Sequence, residues 1–382
     1  MKKELELYIH IPFCIKKCAY CDFLSGPFDD VTIQNYVEAL CKEIKANTES
    51  AKDYKVTTIF LGGGTPSVLL TEQMTQILTT IKDVFYVSED VEITTEANPG
   101  TVTKEKLEAY RNTGINRISF GLQSANNEDL KLLGRIHTYE EFLESFKLAR
   151  ECGFENINVD LISAIPKQTV ADWEKSLKKI IELNPEHISA YSLIVEEGTP
   201  FAKLYGEGTK GEKDLPSEED EREIYKRTEE LLNAAGYFRY EISNYAKPGK
   251  ECKHNLGYWE RKNYLGLGLG ASSLMKNERF HNTEKMQDYL QQSGDLEAIR
   301  LEKECLDKTA QMEEFVFLGM RKMKGISLKE FQQEFGEELL DDYGENIDRM
   351  GEQGLVEIKD GYLKLTKAGI DVSNYVFAEI LF

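Results

Sequence analysis

One pattern repeats through the first half of this chain and restricts it to a few folds: a short β-branched run, a polar or glycine-rich loop, then a segment of helical periodicity. The runs are Leu5 to Ile11, Val56 to Leu61, Val91 to Thr95, Arg117 to Leu122, Asn156 to Ile162 and His187 to Leu193. Helix-like segments follow the first five, among them Ile33 to Ile44, Thr71 to Ile81 and Tyr139 to Cys152. A strand that returns to its sheet through a helix lies parallel to its predecessor, with a right-handed crossover. The pattern therefore predicts an α/β fold, and six units suit an incomplete barrel as well as a doubly wound sheet.

After Val195 the rhythm changes. A charged helix is followed by a possible further strand, Tyr237 to Ile242, and by the glycine-rich Leu265-Gly266-Leu267-Gly268-Leu269-Gly270. A second compact region begins near Glu302, with helices over Glu313 to Met323 and Glu337 to Gln353. A hairpin of Leu355 to Ile358 and Tyr362 to Leu365 around Lys359-Asp360-Gly361 and a last helix complete it. That order resembles a winged-helix module. At roughly 150 residues per domain the length allows two or three units. The expected division is a core over 1–235, a connecting α/β segment over 236–301 and a C-terminal helical region over 302–382.

Charge narrows the partners. Forty-seven Lys and Arg against 67 Asp and Glu give a net charge of −20, which opposes binding to polyphosphate, so no nucleic-acid partner is expected and the winged-helix-like region is read as structural or partner-docking. The acidic run Ser217-Glu218-Glu219-Asp220-Glu221 reads as a solvated helix start. No stretch reaches about 18 apolar residues, and the opening residues lack the apolar run of a signal peptide. A cytoplasmic protein without a transmembrane segment is expected.

Seven cysteines, an odd number in such a chain, argue against a disulfide framework. Cys41 shares a helical face with Ile33, Val37, Leu40 and Ile44 and reads as a small buried hydrophobe; Cys152 and Cys305 receive the same reading. Cys14, Cys18 and Cys21 differ, because they fall within eight residues in the loop that follows the first strand. Three thiolates thus converge at the carboxyl end of a strand, where barrel enzymes build their sites. A zinc site would want a fourth Cys or His at paired spacing, and no second CxxC follows. A [4Fe–4S] cluster held by three thiolates keeps one iron open for a small chelator.

The spacing CxxxCxΦC, with Tyr20 as the aromatic before Cys21, is the signature of the radical S-adenosylmethionine (SAM) superfamily. The resemblance implies a partial (β/α)6 TIM-like barrel in which Cys14, Cys18 and Cys21 hold the cluster. The open iron would be chelated by SAM, whose reductive cleavage yields a 5′-deoxyadenosyl radical. The longer run Tyr8-Ile9-His10-Ile11-Pro12-Phe13-Cys14 is similar to the oxygen-independent coproporphyrinogen III dehydrogenase (HemN) family and its relatives.

Other motifs agree. Gly62-Gly63-Gly64-Thr65-Pro66 resembles the family's GGGTP loop, and consecutive glycines allow close backbone approach to a ligand. Glu96-Ala97-Asn98-Pro99, Gly121-Leu122-Gln123-Ser124, Asn158-Val159-Asp160 and Gly134-Arg135-Ile136-His137 match further motifs at the same rim. The resemblance implies that Tyr8, Tyr20, Asp22, Gly63, Gly64, Thr65, Glu96, Gln123, Arg135 and Asp160 surround SAM. Helix-cap and turn roles are the alternative for each of the polar ones.

Two departures matter. The dehydrogenase carries a further cysteine where this chain has Phe23, and a longer segment ahead of its cluster motif. Cys21-Asp22-Phe23 instead resembles the HemW branch of haem chaperones, as does Cys252-Lys253-His254-Asn255-Leu256-Gly257-Tyr258-Trp259, which matches that branch's HNxxYW motif. The resemblance implies haem as a ligand and transfer of haem to an acceptor protein such as a respiratory haem enzyme. It also implies an electron donor such as flavodoxin or ferredoxin if SAM is cleaved. His254 is the first candidate for haem and Cys252 the second, because histidine ligates haem iron and the aromatics suit an apolar macrocycle. The alternative is that His254 and Asn255 satisfy a turn while the aromatics fill core. Two rival functions stand beside this reading: a radical enzyme acting on a tetrapyrrole, and a zinc-stabilised binding module.

Overall fold

The computed structural model describes residues 2–381. Its first strand, β1 (Lys3–Ile11), sets the plan of the whole barrel. Leu5, Leu7, Ile9 and Ile11 lie in one apolar core, while Glu6, Tyr8 and His10 alternate with them and face the other way. The same alternation continues through β2 (Tyr54–Gly63), β3 (Val87–Ala97), β4 (Arg117–Gln123), β5 (Ile157–Ser163) and β6 (His187–Ser192). Ile59, Ile93, Ile118, Phe120, Val159 and Ile188 are buried in that core under the helices. A fully buried Leu or Ile contributes about 1.5–3 kcal/mol, so this shell is the main source of stability.

Each of the first five strands is followed by a helix: Asp30–Ala46, Thr71–Val84, Lys104–Asn112, Tyr139–Glu151 after a short Asn127–Leu132 helix, and Val170–Glu182. Their starts are chemically specified. Asp29 accepts from the Thr32 amide, and Thr138 with Glu141 and Thr169 with Asp172 form reciprocal capping boxes. The six strands pair in parallel in sequence order, which is the incomplete barrel rather than the doubly wound alternative, since the order never reverses about a switch point.

The sheet extends beyond these six. On one side lie β7 (Phe238–Arg239) and β8 (Asn244–Ala246), with β8 antiparallel to β6. On the other, β9 (Tyr264–Leu267) pairs in parallel with β1 and leads into the antiparallel β10 (Ser272–Met275), β11 (Glu278–Asn282) and β12 (Arg300–Cys305). The strand expected over Tyr237 to Ile242 is therefore cut short. The Glu241 carboxylate accepts from the Ser243 amide at 3.0 Å and turns the chain back. The glycine-rich run is half strand and half reversal: Gly268 and Gly270 adopt φ of 107° and 64°, and a Cβ on Gly266 would lie 2.2 Å from the Ser272 carbonyl oxygen.

A second core, from Met312 to Ile380, holds the C-terminal region. Helices Lys308–Gly319, Leu328–Phe335 and Leu339–Glu352 pack with a three-stranded sheet of β13 (Ile326–Ser327), β14 (Val356–Lys359) and β15 (Tyr362–Leu365), and helices Lys367–Asp371 and Ser373–Leu381 close it. Cys41 is buried as expected and Cys152 is half-buried, whereas Cys305 is exposed, because it ends the outermost strand of the large sheet. No helix among the described residues is long and apolar enough to cross a membrane.

Candidate functional site

Pro12 ends β1, and the loop beyond it is pinned at its base: the Cys14 amide donates to the Gly26 carbonyl and the Gly26 amide to the Pro12 carbonyl, both at 2.9 Å. Cys14, Cys18 and Cys21 project from this loop into a cavity of about 480 Å³ at the carboxyl ends of the strands. Thr65 donates to the Cys14 sulfur at 3.6 Å and Arg135 Nη1 to the Cys18 sulfur at 3.3 Å. Among the described residues no three Cys, His, Asp or Glu side chains draw together on a single ion. Three thiols lining one cavity suit a cluster whose irons occupy separate corners, and these three residues could hold it.

The glycines beside the thiols are required by contact. The Gly64 and Thr65 amides donate to the Ile11 and Phe13 carbonyls at 2.9 and 2.7 Å, locking the loop after β2 against the cysteine loop. Gly63 has φ 105°, and a Cβ there would lie 2.4 Å from the His10 ring; one on Gly64 would lie 2.7 Å from two carbonyl oxygens. The Gly63 amide donates to Glu96 Oε2 at 3.1 Å. Burial first, and the neighbouring Asp160 second, push the Glu96 carboxyl up to about 8.

Around the rim, Arg135 is a half-buried clamp. Its Nη2 donates to Asn98 Oδ1 at 2.6 Å and to the Gly121 carbonyl at 2.5 Å, and Asn98 donates in turn to Thr65 Oγ1 at 2.9 Å. Asp160 accepts from Ser119 and Asn158, each at 2.8 Å. Gln123 takes φ 74°, a backbone conformation rare for a residue with a side chain, where the register of β4 with β5 shifts. Tyr20 packs edge to face on Phe201.

The cavity gathers Cys14, Cys18, Tyr20, Cys21, Asp22, Gly63, Gly64, Thr65, Glu96, Gln123, Arg135 and Asp160. Asn98 and Tyr191 also line it. Asn98 could have been drawn from its place in the Glu96-Ala97-Asn98-Pro99 motif, whereas Tyr191, near the end of β6, carries no local signal. Tyr8 is not among the lining residues; it faces a second cleft of about 540 Å³ that shares Phe23 and Gly63 with the first.

Cys252 and His254 lie in neither cavity. They begin the helix Lys253–Trp259, which packs on the polar inner face of the barrel. His254 is 1% exposed, with Nδ1 2.7 Å from Thr58 Oγ1, Nε2 3.0 Å from the Tyr258 hydroxyl and its ring stacked on Phe60. Burial and the Arg117 charge lower its pKa to about 3, so it is neutral. Cys252 donates to Glu92 at 3.6 Å, and burial pushes its thiol up to about 12. In this conformation both side chains are committed to holding the helix, and the aromatic end of the motif, Tyr258 and Trp259, is what reaches the second cleft.

A parallel barrel whose first strand delivers three spaced thiols to a glycine-lined rim is the arrangement of radical SAM proteins. The sequence pattern of the radical SAM superfamily matches residues 8–180, and that of the HemN C-terminal domain matches residues 306–372. The heme chaperone HemW of Lactococcus lactis is 36% identical over 381 residues, covering 100% of this chain and 98% of its own length. HemW of Bacillus subtilis is 36% identical over 98% of both chains, and HemW of Escherichia coli is 42% identical over 70% of this chain and 69% of its own. The chain belongs to the HemW family. The solved structure of the coproporphyrinogen III oxidase HemN from Escherichia coli shares the fold, with a TM-score of 0.86 at 24% identity over 99% of this chain and 90% of that one.

Proposed function

We propose that this protein is a haem chaperone that holds a [4Fe–4S] cluster and SAM at the carboxyl rim of its barrel, binds haem and passes it to an acceptor protein such as a respiratory haem enzyme. One observation carries the reading. A cavity that gathers three thiols, a glycine cradle, a half-buried carboxyl and a half-buried guanidinium lies in a chain that aligns with haem chaperones along its whole length.

Cys14, Cys18 and Cys21 would ligate three irons and leave the fourth to SAM, which when bound and reduced supplies radical chemistry. The residues around that place have separable tasks. Gly63 and Gly64 let the backbone come close, Glu96 offers a carboxylate to a cationic ligand, and Asp160, fixed by Ser119 and Asn158, presents a second acceptor. Arg135 binds the loop after β3, the end of β4 and the cysteine loop together, so the cradle keeps its shape when the ligand leaves.

The reading is tested by reconstituting the protein anaerobically, titrating haem into it by the Soret band, and assaying coproporphyrinogen turnover with SAM and reductant. Saturable haem binding, transfer to a haem-free acceptor and no porphyrinogen turnover are expected. Absence of saturable binding together with SAM-dependent conversion of a tetrapyrrole would refute the chaperone and establish a radical enzyme.

A further inference from the structure

The geometry points to the second cleft as the seat of the haem, with His10, rather than His254, facing the iron. This rests on the chaperone reading above and names the place where its ligand lies. The cleft is bordered by Tyr8, His10 and Gly63 from the barrel, by Tyr258 and Trp259 from the helix Lys253–Trp259, and by Tyr264, Ala271 and Leu274 from the strands added beside β1. Its walls are aromatic and aliphatic, its volume falls within the range of about 300–1,000 Å³ typical of small-molecule sites, and Arg279 is the one permanently charged side chain among the described lining residues. That is the chemistry of a flat apolar macrocycle: aromatic faces for the ring, with the Arg279 guanidinium at the border, where its Nε is paired with Glu314 and its Nη1 donates to the Tyr264 hydroxyl, leaving Nη2 as the edge a ligand carboxylate would meet.

His10 is placed as a metal-binding histidine is usually placed. Its Nδ1 lies 2.9 Å from the Tyr8 hydroxyl, and its Nε2 donates to the Leu24 carbonyl at 3.0 Å. Leu24 is an exposed residue that itself borders the cleft. Yielding of that single contact frees the ring edge: the proton passes from Nε2 to Nδ1, the Tyr8 oxygen changes from donor to acceptor, and the Nε2 lone pair faces the cleft. A ligating histidine generally keeps such a partner on its other nitrogen. His254 differs in place: it is 1% exposed and lines neither cavity, and its Nδ1 is held by the buried Thr58 hydroxyl and its Nε2 by Tyr258. It is a positioning residue that holds Tyr258 and, one residue on, Trp259 against the cleft.

The two cavities meet at Phe23 and Gly63, so haem would lie next to the thiol-lined site and not within it. The family motif and the cysteine motif then serve one surface from opposite sides.

The test titrates haem into the reconstituted wild type and into Ser272→Trp, Trp259→Ala, His10→Ala and His254→Ala, with circular dichroism confirming the fold and iron content confirming the cluster. Ser272 is exposed in β10 at the cleft, so an indole there blocks the space without entering the core. Binding weaker by about tenfold or more is expected for Ser272→Trp and Trp259→Ala. His10→Ala should change the Soret maximum and the electron paramagnetic resonance signature of the iron, while His254→Ala weakens binding and keeps that signature. Unaltered binding by Ser272→Trp, or an iron signature lost in His254→Ala and kept in His10→Ala, overturns the assignment. Failure of the wild type itself to bind haem refutes the chaperone reading instead.

Discussion

Glu6 lies on the inner face of β1 beneath the helix Lys253–Trp259, so close that a Cβ on Gly257 would fall 1.9 Å from its Oε1. Its side chain is buried, and its Oε2 has no hydrogen-bond partner among the described residues. Burial, together with Glu92, Glu260 and Glu4 and against the opposing Lys262, pushes its carboxyl from 4.5 up to about 9. The folded protein therefore keeps a proton that the unfolded chain releases above pH 4.5, and linkage makes the folded state less stable as pH rises between those two values. At about 1.4 kcal/mol per pH unit the cost is on the order of 3 kcal/mol at pH 7, and it levels off above pH 9. Glu6→Gln matches the neutral acid in shape and cannot ionise. Urea unfolding of the two apoproteins should show the variant more stable by about 3 kcal/mol at pH 7 and by less than about 1 kcal/mol at pH 5. A variant no more stable than wild type at pH 8, or a difference that does not change with pH, would refute the assignment of Glu6 as a neutral buried acid.

Three further outcomes follow from the rim. Cys21→Ala should lower the iron and sulfide of the anaerobically reconstituted protein well below the roughly four of each that a cubane contains, because the loop offers no other thiol; iron and sulfide analysis measures it. Gly63→Ala should cost at least about 2 kcal/mol in thermal or urea unfolding and abolish SAM binding, since the new methyl meets the His10 ring at 2.4 Å and the backbone sits at φ 105°. With Glu96 held up to about 8 by burial and Asp160, its negative form gains population as pH rises through that value. The affinity for the cationic SAM measured by calorimetry should increase between pH 6.5 and 8.5 in wild type and stay flat in Glu96→Gln.

Local chemistry decides much of this molecule. Period-two alternation along Leu5 to Ile11 needs only the chain's own geometry, because successive side chains of a strand face opposite ways, and helices of suitable length between such runs leave parallel crossovers as the packing solution. The thiols of Cys14, Cys18 and Cys21 are brought together by a loop too short to separate them, so their grouping was legible in eight residues. The rim residues Glu96, Gln123 and Asp160 follow from strand ends, once the strands are known to be parallel and in order.

Other features depend on partners far away in the chain. The pairing of β9 with β1 joins residues more than 250 positions apart, and nothing in the glycine-rich run announces it. Tyr8 faces the second cleft because that strand and Tyr264 stand beside it. A histidine's sequence neighbours cannot say whether its nitrogens are free. For His254 the answer lies in Thr58, 196 residues earlier, and in the Glu6 and Arg117 side chains that share the barrel interior. Spacing along the chain determined which groups this protein owns and how the nearest ones assemble; only tertiary packing, which sets burial and fills hydrogen-bonding capacity, decided which of them remain available to a ligand.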